Sequence, residues 1–382
     1  MNQVLIVAAE ASSVHYAQRL LEYWQAEGRD IKAFGVGSQS MESLGFERLG
    51  KSEEMAVVGI AEVVAHYSEL KAVFDRLVQA AKERKPQVAV VMDYPDFNLR
   101  LAKELDALGI PVVYYISPQV WAWRKGRVKT IKKYCRKVFT LFPFEVEFYK
   151  AHQVPCEFVG HPLLEDLDEK LFDLEYRKTH RAQCGIGEKD VVLGIMPGSR
   201  RGELRQHIEI QMEVVRRLSH KYPQMKFLFL VAPTFEKEDL QVYLENLRVP
   251  YILLKDDPYR MIHLTDVVLA ASGTATLMVG LLHKPMVIMY KMKWLTGVIA
   301  KVFVRGTQFF GLVNLILGKE AVPERWQDGA NPEHLTELVS RYVDDPAYRE
   351  SVIADLKKLQ GYLGNKGATA RVAKGLEEYF TV

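Results

Sequence analysis

The chain has 382 residues, a formal net charge of +3, and 48% hydrophobic and 26% charged residues. This length predicts two domains, and this composition is typical of a globular protein with sizeable cores. A charge so close to balance gives no reason to expect a nucleic acid partner. The three cysteines, Cys135, Cys156 and Cys184, have no CxxC spacing. We therefore expect reduced thiols in a cytoplasmic protein, and neither a disulfide framework nor a metal site.

Short apolar runs alternate with helical patterns in the first half of the chain. No basic region precedes the first run, Val4–Ala9, which therefore predicts a buried strand and not a signal peptide. A helical pattern follows from Tyr16 to Glu27, and another spans Leu99 to Leu108. Runs this short and apolar suit strands buried on both faces of a parallel sheet. The other predicted strands are Val88–Met92, Val112–Ile116, Val138–Phe142 and Glu157–Val159.

The same alternation restarts after a charged link, Asp173 to Lys189. It predicts an α/β protein with two Rossmann-like domains facing a cleft. We place an N-terminal domain at residues 1–168 and a C-terminal domain at 186–345. The helical tail, about 346–382, could pack back on the first domain. The strands predicted for the second domain are Val191–Met196, Phe227–Val231, Tyr251–Leu254, Val267–Ala271 and Met286–Tyr290.

Two loops of the second domain favour a diphosphate site. The first contains Gly198, Ser199 and Arg200, and an arginine can fork two hydrogen bonds onto a phosphate. The second opens a helix, whose free N–H groups attract anions. Either loop alone could equally be a plain turn or helix cap, and the absence of Walker A and GxGxxG sequences disfavours a P-loop enzyme or a dehydrogenase. The residues of the second loop are Ser272, Gly273, Thr274 and Ala275.

Polar residues also follow two predicted strands of the first domain. Asp93, Asp96 and Asn98 come after Val88–Met92, and one carboxylate could take a proton from an attacking hydroxyl. The alternative is that Asp96 or Asn98 caps the helix starting near Leu99.

Three further polar residues are candidates for contact with a ligand. Glu10 and Ser12, after the first strand, could bind a sugar or merely start a helix. His161 could contact a ligand or be a structural histidine.

Three segments suggest lipid or phosphate as a partner. Residues Arg124 to Lys137 include eight Lys or Arg residues, next to Trp121-Ala122-Trp123. An anionic membrane surface or a phosphate-bearing substrate would suit them, and a solvated helix face is the alternative. Trp294 to Arg305 has the pattern of an interfacial helix, and Met55 to Tyr67 could hold acyl chains. Ordinary core packing would explain either of these two stretches equally well.

Several segments, in this order and spacing over nearly the whole chain, resemble the lipid-A-disaccharide synthase family. The most specific is Ser117-Pro118-Gln119-Val120-Trp121-Ala122-Trp123-Arg124, with Asp93-Tyr94-Pro95-Asp96-Phe97-Asn98 upstream of it. The others are Leu141-Phe142-Pro143-Phe144-Glu145, Val159-Gly160-His161-Pro162, Pro197-Gly198-Ser199-Arg200 and Ala271-Ser272-Gly273-Thr274-Ala275-Thr276-Leu277.

This resemblance implies a GT-B fold and an inverting hexosyl transfer that needs no metal or cofactor. The N-terminal domain would bind the acceptor and lipid, and the C-terminal domain would bind the UDP-sugar. The substrates would be UDP-2,3-diacylglucosamine and 2,3-diacylglucosamine 1-phosphate, and the products lipid A disaccharide 1-phosphate and UDP. Such an enzyme would work in the cytoplasm, attached peripherally to the inner face of the inner membrane. The sequence leaves the oligomeric state open, with a homodimer among the alternatives.

The resemblance also assigns roles to residues. Asp96, with Asp93 beside it, would be the general base, while Trp123, Glu10, Ser12, Asn98 and His161 would meet the acceptor or sugar. Arg200 and the Ser272–Ala275 turn would hold UDP, together with Asn314, Glu324 and Gln327. The chain departs from the family pattern at Ala9, Ser13 and Val14 in the first loop, at Met278 where a glutamate is usual, and at Val313 where a proline is usual.

Two other functions fit the same architecture. A UDP-sugar 2-epimerase would share both domains and the UDP site, but it would not predict the Ser117–Arg124 segment. A non-catalytic nucleotide- or lipid-binding relative would explain the altered first loop and Met278.

Overall fold

The computed structural model describes residues 2–55, 67–118, 120–121, 126–291 and 309–380. It divides into two compact units. Unit 1 comprises Met1–Glu165 and Leu363–Val382, and unit 2 comprises Asp166–Tyr362. Within the described ranges, no helix combines the length and apolarity that a bilayer crossing needs.

Unit 1 is built on a seven-stranded sheet in the order β3-β2-β1-β4-β5-β6-β7, in which every pair is parallel. Its strands are β1 (Asn2–Ala8), β2 (Ile31–Gly37), β3 (Glu47–Lys51), β4 (Val88–Met92), β5 (Val112–Tyr115), β6 (Lys137–Thr140) and β7 (Cys156–Phe158). Its helices are α1 (Ala11–Ala26), α2 (Gln39–Glu42), α3 (Ser52–Met55), α4 (Tyr67–Arg84), α5 (Pro95–Ala107), α6 (Arg127–Tyr134) and α7 (Pro143–Ala151), with α17 (Ala368–Leu376) near the C-terminus.

Unit 2 is built on a six-stranded parallel sheet in the order β10-β9-β8-β11-β12-β13. Its strands are β8 (Val192–Met196), β9 (Lys226–Leu230), β10 (Ile252–Leu254), β11 (Val267–Ala271), β12 (Met286–Tyr290) and β13 (Glu324–Trp326). Its helices are α8 (Leu174–Gln183), α9 (Arg201–Lys221), α10 (Lys237–Leu244), α11 (Pro258–His263), α12 (Thr274–Leu281), α13 (Leu312–Leu317), α14 (Pro332–Asp344), α15 (Pro346–Leu356) and α16 (Leu359–Leu363), in which the chain leaves unit 2.

The predicted α/β class is confirmed, and β4, β11 and β12 have the predicted bounds. Central strands such as β4 are buried at every residue, as both-face burial in a parallel sheet requires. The sequence analysis did not predict β2, β3 or β13. In β2 the glycines weaken the strand signal, yet Gly35 is required, because a Cβ there would lie 2.1 Å from the carbonyl oxygen of Ile6.

The tail helix α17 packs against α1 of unit 1. Its buried residues, including Val372 and Leu376, recur on one face, as an amphipathic helix requires. Polar contacts add to this packing, since Glu165 accepts hydrogen bonds from the backbone N–H and the hydroxyl of Thr369.

Candidate functional site

Each sheet reverses its strand order once, between β1 and β4 in unit 1 and between β8 and β11 in unit 2. Ligands of open parallel sheets bind beyond the carboxyl ends of the strands at this reversal. The register pairs Ala8 with Met92 in unit 1 and Met196 with Ala270 in unit 2. The loops after these four strands therefore form the candidate site of each unit, and they carry most of the predicted residues.

The loop after β4 is a sharp turn with an unusual backbone. Asp93 and Tyr94 have φ values of 47° and 42°, and Ile116, just beyond the end of β5, has φ 59°. Residues with a Cβ rarely adopt this left-handed region, least of all a β-branched isoleucine. The N–H of Asp93 donates to the carbonyl oxygen of Ile116 at 3.0 Å, so the two turns are joined. We call the segment from Asp93 to Asp96 the acid turn.

The acid turn presents Asp96 in the first turn of α5, which begins at Pro95. The Asp96 side chain is 74% exposed, and its carboxylate pairs with the guanidinium of Arg127, which is only 18% exposed. Val128 and Ile131 of α6 are buried in the same core as Leu99 of α5, which holds Arg127 in place. The alternative that Asp96 or Asn98 caps a helix near Leu99 is wrong, because the helix starts earlier and neither residue is its N-cap.

Tyr94 lies between the two acidic loops of unit 1. Burial raises the pKa of the Tyr94 hydroxyl to about 12, and the charges of Glu10 and Asp96 add to the rise. Glu10 is half-buried and lies two residues beyond Ala8, the last residue of β1, and Ser12 is half-buried as well. The helix start is stabilised by Ser13, which the sequence analysis did not select. The buried Ser13 hydroxyl accepts the N–H of Glu10 at 3.0 Å and donates to the carbonyl oxygen of Glu10 at 2.8 Å.

Two other predicted residues of unit 1 are almost completely buried. The amide nitrogen of Asn98 donates to the carbonyl oxygens of Met92 and Asp93, at 3.0 and 2.7 Å. His161 is 2% exposed, and its Nδ1 accepts the N–H of Leu163 at 3.2 Å. Both contacts organise the polypeptide around the site. Trp123 lies outside the described residues.

A buried carboxyl connects two of the family-specific segments. Glu145, 3% exposed, accepts hydrogen bonds from the N–H groups of Leu141 and Phe142 and from the indole of Trp121. Burial raises the pKa of Glu145 to about 7, although all three hydrogen bonds oppose the rise. The loop after β5 is thereby attached to the start of α7.

In unit 2, the loop after β8 depends on Gly198. Its φ is +124°, and an added Cβ would lie 2.8 Å from the Cβ of Glu203. The Glu203 carboxylate accepts the N–H of Ser199 at 3.1 Å and a hydrogen bond from Arg200 at 3.1 Å. The Arg200 side chain is one-third exposed, so its guanidinium is held at the surface of this loop. Glu203 escaped the sequence analysis because it reads as an ordinary first-turn acid of α9.

His207, one turn further along α9, also holds this loop and was not predicted. Its Nδ1 donates to the carbonyl oxygen of Pro197 at 2.9 Å, and its Nε2 accepts the N–H of Lys291 at 3.0 Å. Burial lowers the pKa of His207, which favours the neutral tautomer that these two contacts need. The four-residue spacing from Glu203 is the signal that would have placed both on one helix face.

The loop after β11 lies beside the loop after β8, because the two strands are neighbours in the sheet. Gly273 is the N-cap of α12, and its extended backbone leads into Thr274. The first N–H groups of a helix have no acceptor within the helix, so those of Thr274 and Ala275 are available to an anion. Thr276 donates its hydroxyl to the carbonyl oxygen of Gly273 at 2.7 Å and stabilises the turn. Ser272 is half-buried, and its N–H donates to the carbonyl oxygen of Met289 at 2.9 Å.

The three remaining predicted residues of unit 2 lie near β13. Glu324 is buried and accepts hydrogen bonds from the N–H groups of Phe310 and Gly311 and from the amide of Asn314. Burial raises the pKa of Glu324. Asn314 is completely buried and also bonds both backbone polar groups of Val322. The two side chains therefore support each other and the loop entering α13, whereas Gln327, at φ 51°, is half-buried.

Of the three segments that suggested lipid or phosphate, the basic one lies mostly within the described residues. Arg127 to Lys137 includes α6, which buries Val128 and Ile131 and exposes Lys129, Lys132 and Lys133. Residues 56–66 and 292–308, which carry the two predicted apolar surfaces, lie outside the described part of the chain.

The chain is similar to known proteins over nearly its whole length. The family model described as "Lipid-A-disaccharide synthetase" matches residues 4–365. The lipid-A-disaccharide synthase of Myxococcus xanthus (strain DK1622) is 35% identical over 98% of this chain and 97% of its own length.

Two solved structures share the fold at low sequence identity. The UDP-GlcNAc 2-epimerase from Neisseria meningitidis superposes with a TM-score of 0.64 at 14% identity, covering 98% of this chain and 100% of its own. A calicheamicin glycosyltransferase gives a TM-score of 0.61 at 14% identity, covering 99% of this chain and 98% of its own. These structures confirm the predicted GT-B fold and nothing finer. From the family model and its sequence relatives, the chain belongs to the lipid-A-disaccharide synthase family.

Proposed function

We propose that this protein is a hexosyltransferase that joins UDP-2,3-diacylglucosamine to 2,3-diacylglucosamine 1-phosphate, giving lipid A disaccharide 1-phosphate and UDP. Family membership over nearly the whole chain supports this activity. The observation that carries the mechanism is the acid turn. Its left-handed residues, Asp93 and Tyr94, lead into the helix that presents the Asp96 carboxylate at the strand-order reversal of unit 1.

In the proposed reaction, the acceptor 6-hydroxyl oxygen attacks the anomeric carbon of the donor. The hydroxyl proton passes to the Asp96 carboxylate as the new carbon–oxygen bond forms. The bond between the anomeric carbon and UDP breaks, and UDP leaves with the electron pair. Attack from the face opposite the departing UDP inverts the configuration and gives the β-linked product.

Unit 2 supplies the groups that stabilise the departing UDP. Arg200 and the N–H groups at the start of α12 offer positive charge and donors to the diphosphate, which gains negative charge as the bond breaks. Glu203 and His207 would set the shape of this loop. Asn314 and Glu324 would contribute through the loop that they stabilise, because their described hydrogen bonds are to neighbouring residues.

The test of the mechanism is Asp96→Asn, assayed by UDP release and by mass spectrometry of the disaccharide. Loss of a general base is expected to lower kcat by roughly 100- to 10,000-fold. Asp106→Asn is the matched control, because Asp106 lies on the same helix and also pairs with an arginine, Arg136 at 3.1 Å. A folded Asp96→Asn variant with the activity of the control would end the base assignment.

The epimerase alternative is not favoured. The epimerases resemble this chain only in fold, at 14% and 10% identity for two of them, whereas the sequence relatives are disaccharide synthases over nearly the full length. Incubation with the UDP-sugar alone separates the two functions. We expect no epimerised product, and UDP release that requires the acceptor. The same requirement distinguishes an enzyme from a non-catalytic relative.

We also propose that the exposed lysines of α6 bind an anionic membrane surface, which would place the enzyme at the inner face of the inner membrane. Lys129, Lys132 and Lys133 are exposed, whereas Val128 and Ile131 of the same helix are buried. Each basic residue near such a surface contributes about 1 kcal/mol. Replacing the three lysines by glutamine should abolish sedimentation with phosphatidylglycerol vesicles, and equal binding by the variant would contradict the proposal.

A further inference from the structure

The acid turn is held in an unfavourable backbone conformation. Asp93 and Tyr94 are consecutive left-handed residues with side chains, and the isoleucine hydrogen-bonded to Asp93, Ile116, is left-handed as well. Such a conformation persists only where the surrounding structure enforces it. The residues that enforce it are therefore the ones that decide where Asp96 lies.

Two buried side chains converge on one atom of this turn. The Tyr114 hydroxyl donates to the carbonyl oxygen of Asp93 at 2.5 Å, and the amide of Asn98 donates to the same oxygen at 2.7 Å. The Asn98 amide also reaches the carbonyl oxygen of Met92 at 3.0 Å. Tyr114 and Asn98 are both 0% exposed. Burial raises the pKa of Tyr114 well above its ordinary value, so the hydroxyl keeps the proton that it donates.

Tyr114 belongs to β5, whose place beside β4 is set by the sheet register that pairs Met92 with Tyr115. Its hydroxyl therefore connects the acid turn to the rigid neighbouring strand. Asn98 connects the same carbonyl to the first two turns of α5, the helix that carries Asp96. Together these contacts join the acid turn to β5 and to the helix that carries Asp96.

We infer that Tyr114 is a positioning residue for the transfer, which fixes the Asp93 carbonyl and through it the direction of the Asp96 carboxylate. Tyr114 itself does not touch the reacting atoms. This inference rests on the proposed role of Asp96 as the base. A reacting group displaced by even about 1 Å can lose a factor of roughly 100 in rate.

The test is Tyr114→Phe, which removes one hydroxyl and keeps the packed ring. We expect kcat to fall roughly 10- to 100-fold with the KM of both substrates nearly unchanged. Tyr115→Phe is the matched control. Tyr115 is the next residue of the same strand and is equally buried, and its hydroxyl has no hydrogen-bond partner in the described part of the chain. Removing that hydroxyl should leave both kinetic constants unchanged.

A double variant separates positioning from general damage. If Tyr114 acts through Asp96, then Tyr114→Phe should cost little further rate in an Asp96→Asn background. Asn98→Ala removes the other donor and should lower kcat in the same direction, with circular dichroism confirming that both variants are folded. Wild-type kcat in folded Tyr114→Phe overturns the inference, as does an equal loss in the Tyr115→Phe control.

Failure of the inference can be distinguished from failure of the proposed function. If Asp96→Asn is inactive and Tyr114→Phe is fully active, the base assignment stands and the positioning role is wrong. If Asp96→Asn is fully active, the base assignment has failed. In that case a rate loss in Tyr114→Phe must act through another group, which equally overturns the inference.

Discussion

The acid turn of unit 1 and the loop after β8 in unit 2 both lie at the strand-order reversal of their sheets but use opposite backbone chemistry. In unit 1 the left-handed positions are filled by Asp93 and Tyr94. Because both residues have side chains, this backbone conformation is unfavourable and needs hydrogen bonds from buried donors to maintain it. In unit 2 the positive φ falls on Gly198, which adopts it at little cost. The difference suggests that unit 1 must aim one side chain, whereas unit 2 must leave room for an anion close to its backbone.

The largest effect expected from this contrast is at Arg200. Arg200→Ala should lower kcat/KM roughly 100- to 1,000-fold, because it removes a charged donor to the departing diphosphate. Arg201→Ala is the control, since Arg201 is the next residue, 71% exposed, and pairs with Asp239. Similar kinetics for the two variants would remove Arg200 from the donor site.

The next effect is at the glycine of the same loop. Gly198→Ala places a Cβ against Glu203 in a backbone conformation that favours glycine, so it should raise the KM for the donor about 10- to 100-fold. Steady-state kinetics at varied donor concentration measure it. Gly202→Ala is the control, because Gly202 lies in α9 and a Cβ added there would meet nothing within 4 Å. An unchanged KM in Gly198→Ala would show that the close approach is not needed.

A smaller effect concerns stability and pH in unit 1. The pKa of Glu145 is raised to about 7 by burial. The folded state therefore holds a proton that the unfolded state loses above its own lower pKa. Stability from this group is full below the unfolded pKa and is lost as the pH rises through the folded value.

Glu145→Gln removes this titration and tests it directly. Relative to the variant, the wild type should lose on the order of 2 kcal/mol of unfolding free energy between about pH 5 and about pH 8. Urea denaturation at both pH values measures the difference. Glu147→Gln, at an exposed position of the same helix, retains Glu145 and should therefore keep the pH dependence of the wild type. A parallel pH profile for Glu145→Gln and wild type would contradict the assignment.

The smallest effect tests whether the left-handed conformation of the acid turn lowers the stability of the protein while it orients Asp96. Asp93→Gly relieves the left-handed strain but adds freedom to the unfolded chain, so the unfolding free energy should rise by only about 0.5–1 kcal/mol. Lys85→Gly should give a similar rise, because Lys85 is exposed and has φ 48° outside the site. Only Asp93→Gly should also lower kcat. Full activity of this variant would show that neither the Asp93 side chain nor its restriction of the backbone is needed to orient Asp96.

The fold was largely predictable because its central strands carry a strong local signal. β4, β11 and β12 are short apolar runs bounded by polar residues, and their bounds were predicted correctly. β3 and β13 are edge strands with charged residues, and β2 contains glycines, so local pattern could not identify them. Their strand conformation depends on pairing with a neighbour that is distant in sequence.

The loops that form the site were predictable for the same reason, since they follow strong strands of a parallel sheet. The roles assigned there to Asp96 and Arg200 stay predictions, now with a defined geometry. Tyr114, Glu203 and His207 could not be selected, because a tyrosine in a strand or an acid in a first helical turn is ordinary. Their importance comes from the particular groups that they contact in the site loops, which are distant in sequence for Tyr114 and close in sequence for Glu203 and His207.

The amino-acid sequence by itself determined the α/β class, most strands of both sheets, the family and the loops that carry the chemistry. All of these depend on local periodicity or on motifs that are contiguous in the chain. Only the tertiary structure decided that Asp93 and Tyr94 are left-handed. It also decided that Tyr114 and Asn98 both donate to the carbonyl oxygen of Asp93, and that the Glu324 carboxylate accepts hydrogen bonds from the loop entering α13. The physical reason is that buried polar groups need partners and find them wherever the fold brings them together, which leaves no local pattern in the sequence from which these hydrogen bonds could be inferred.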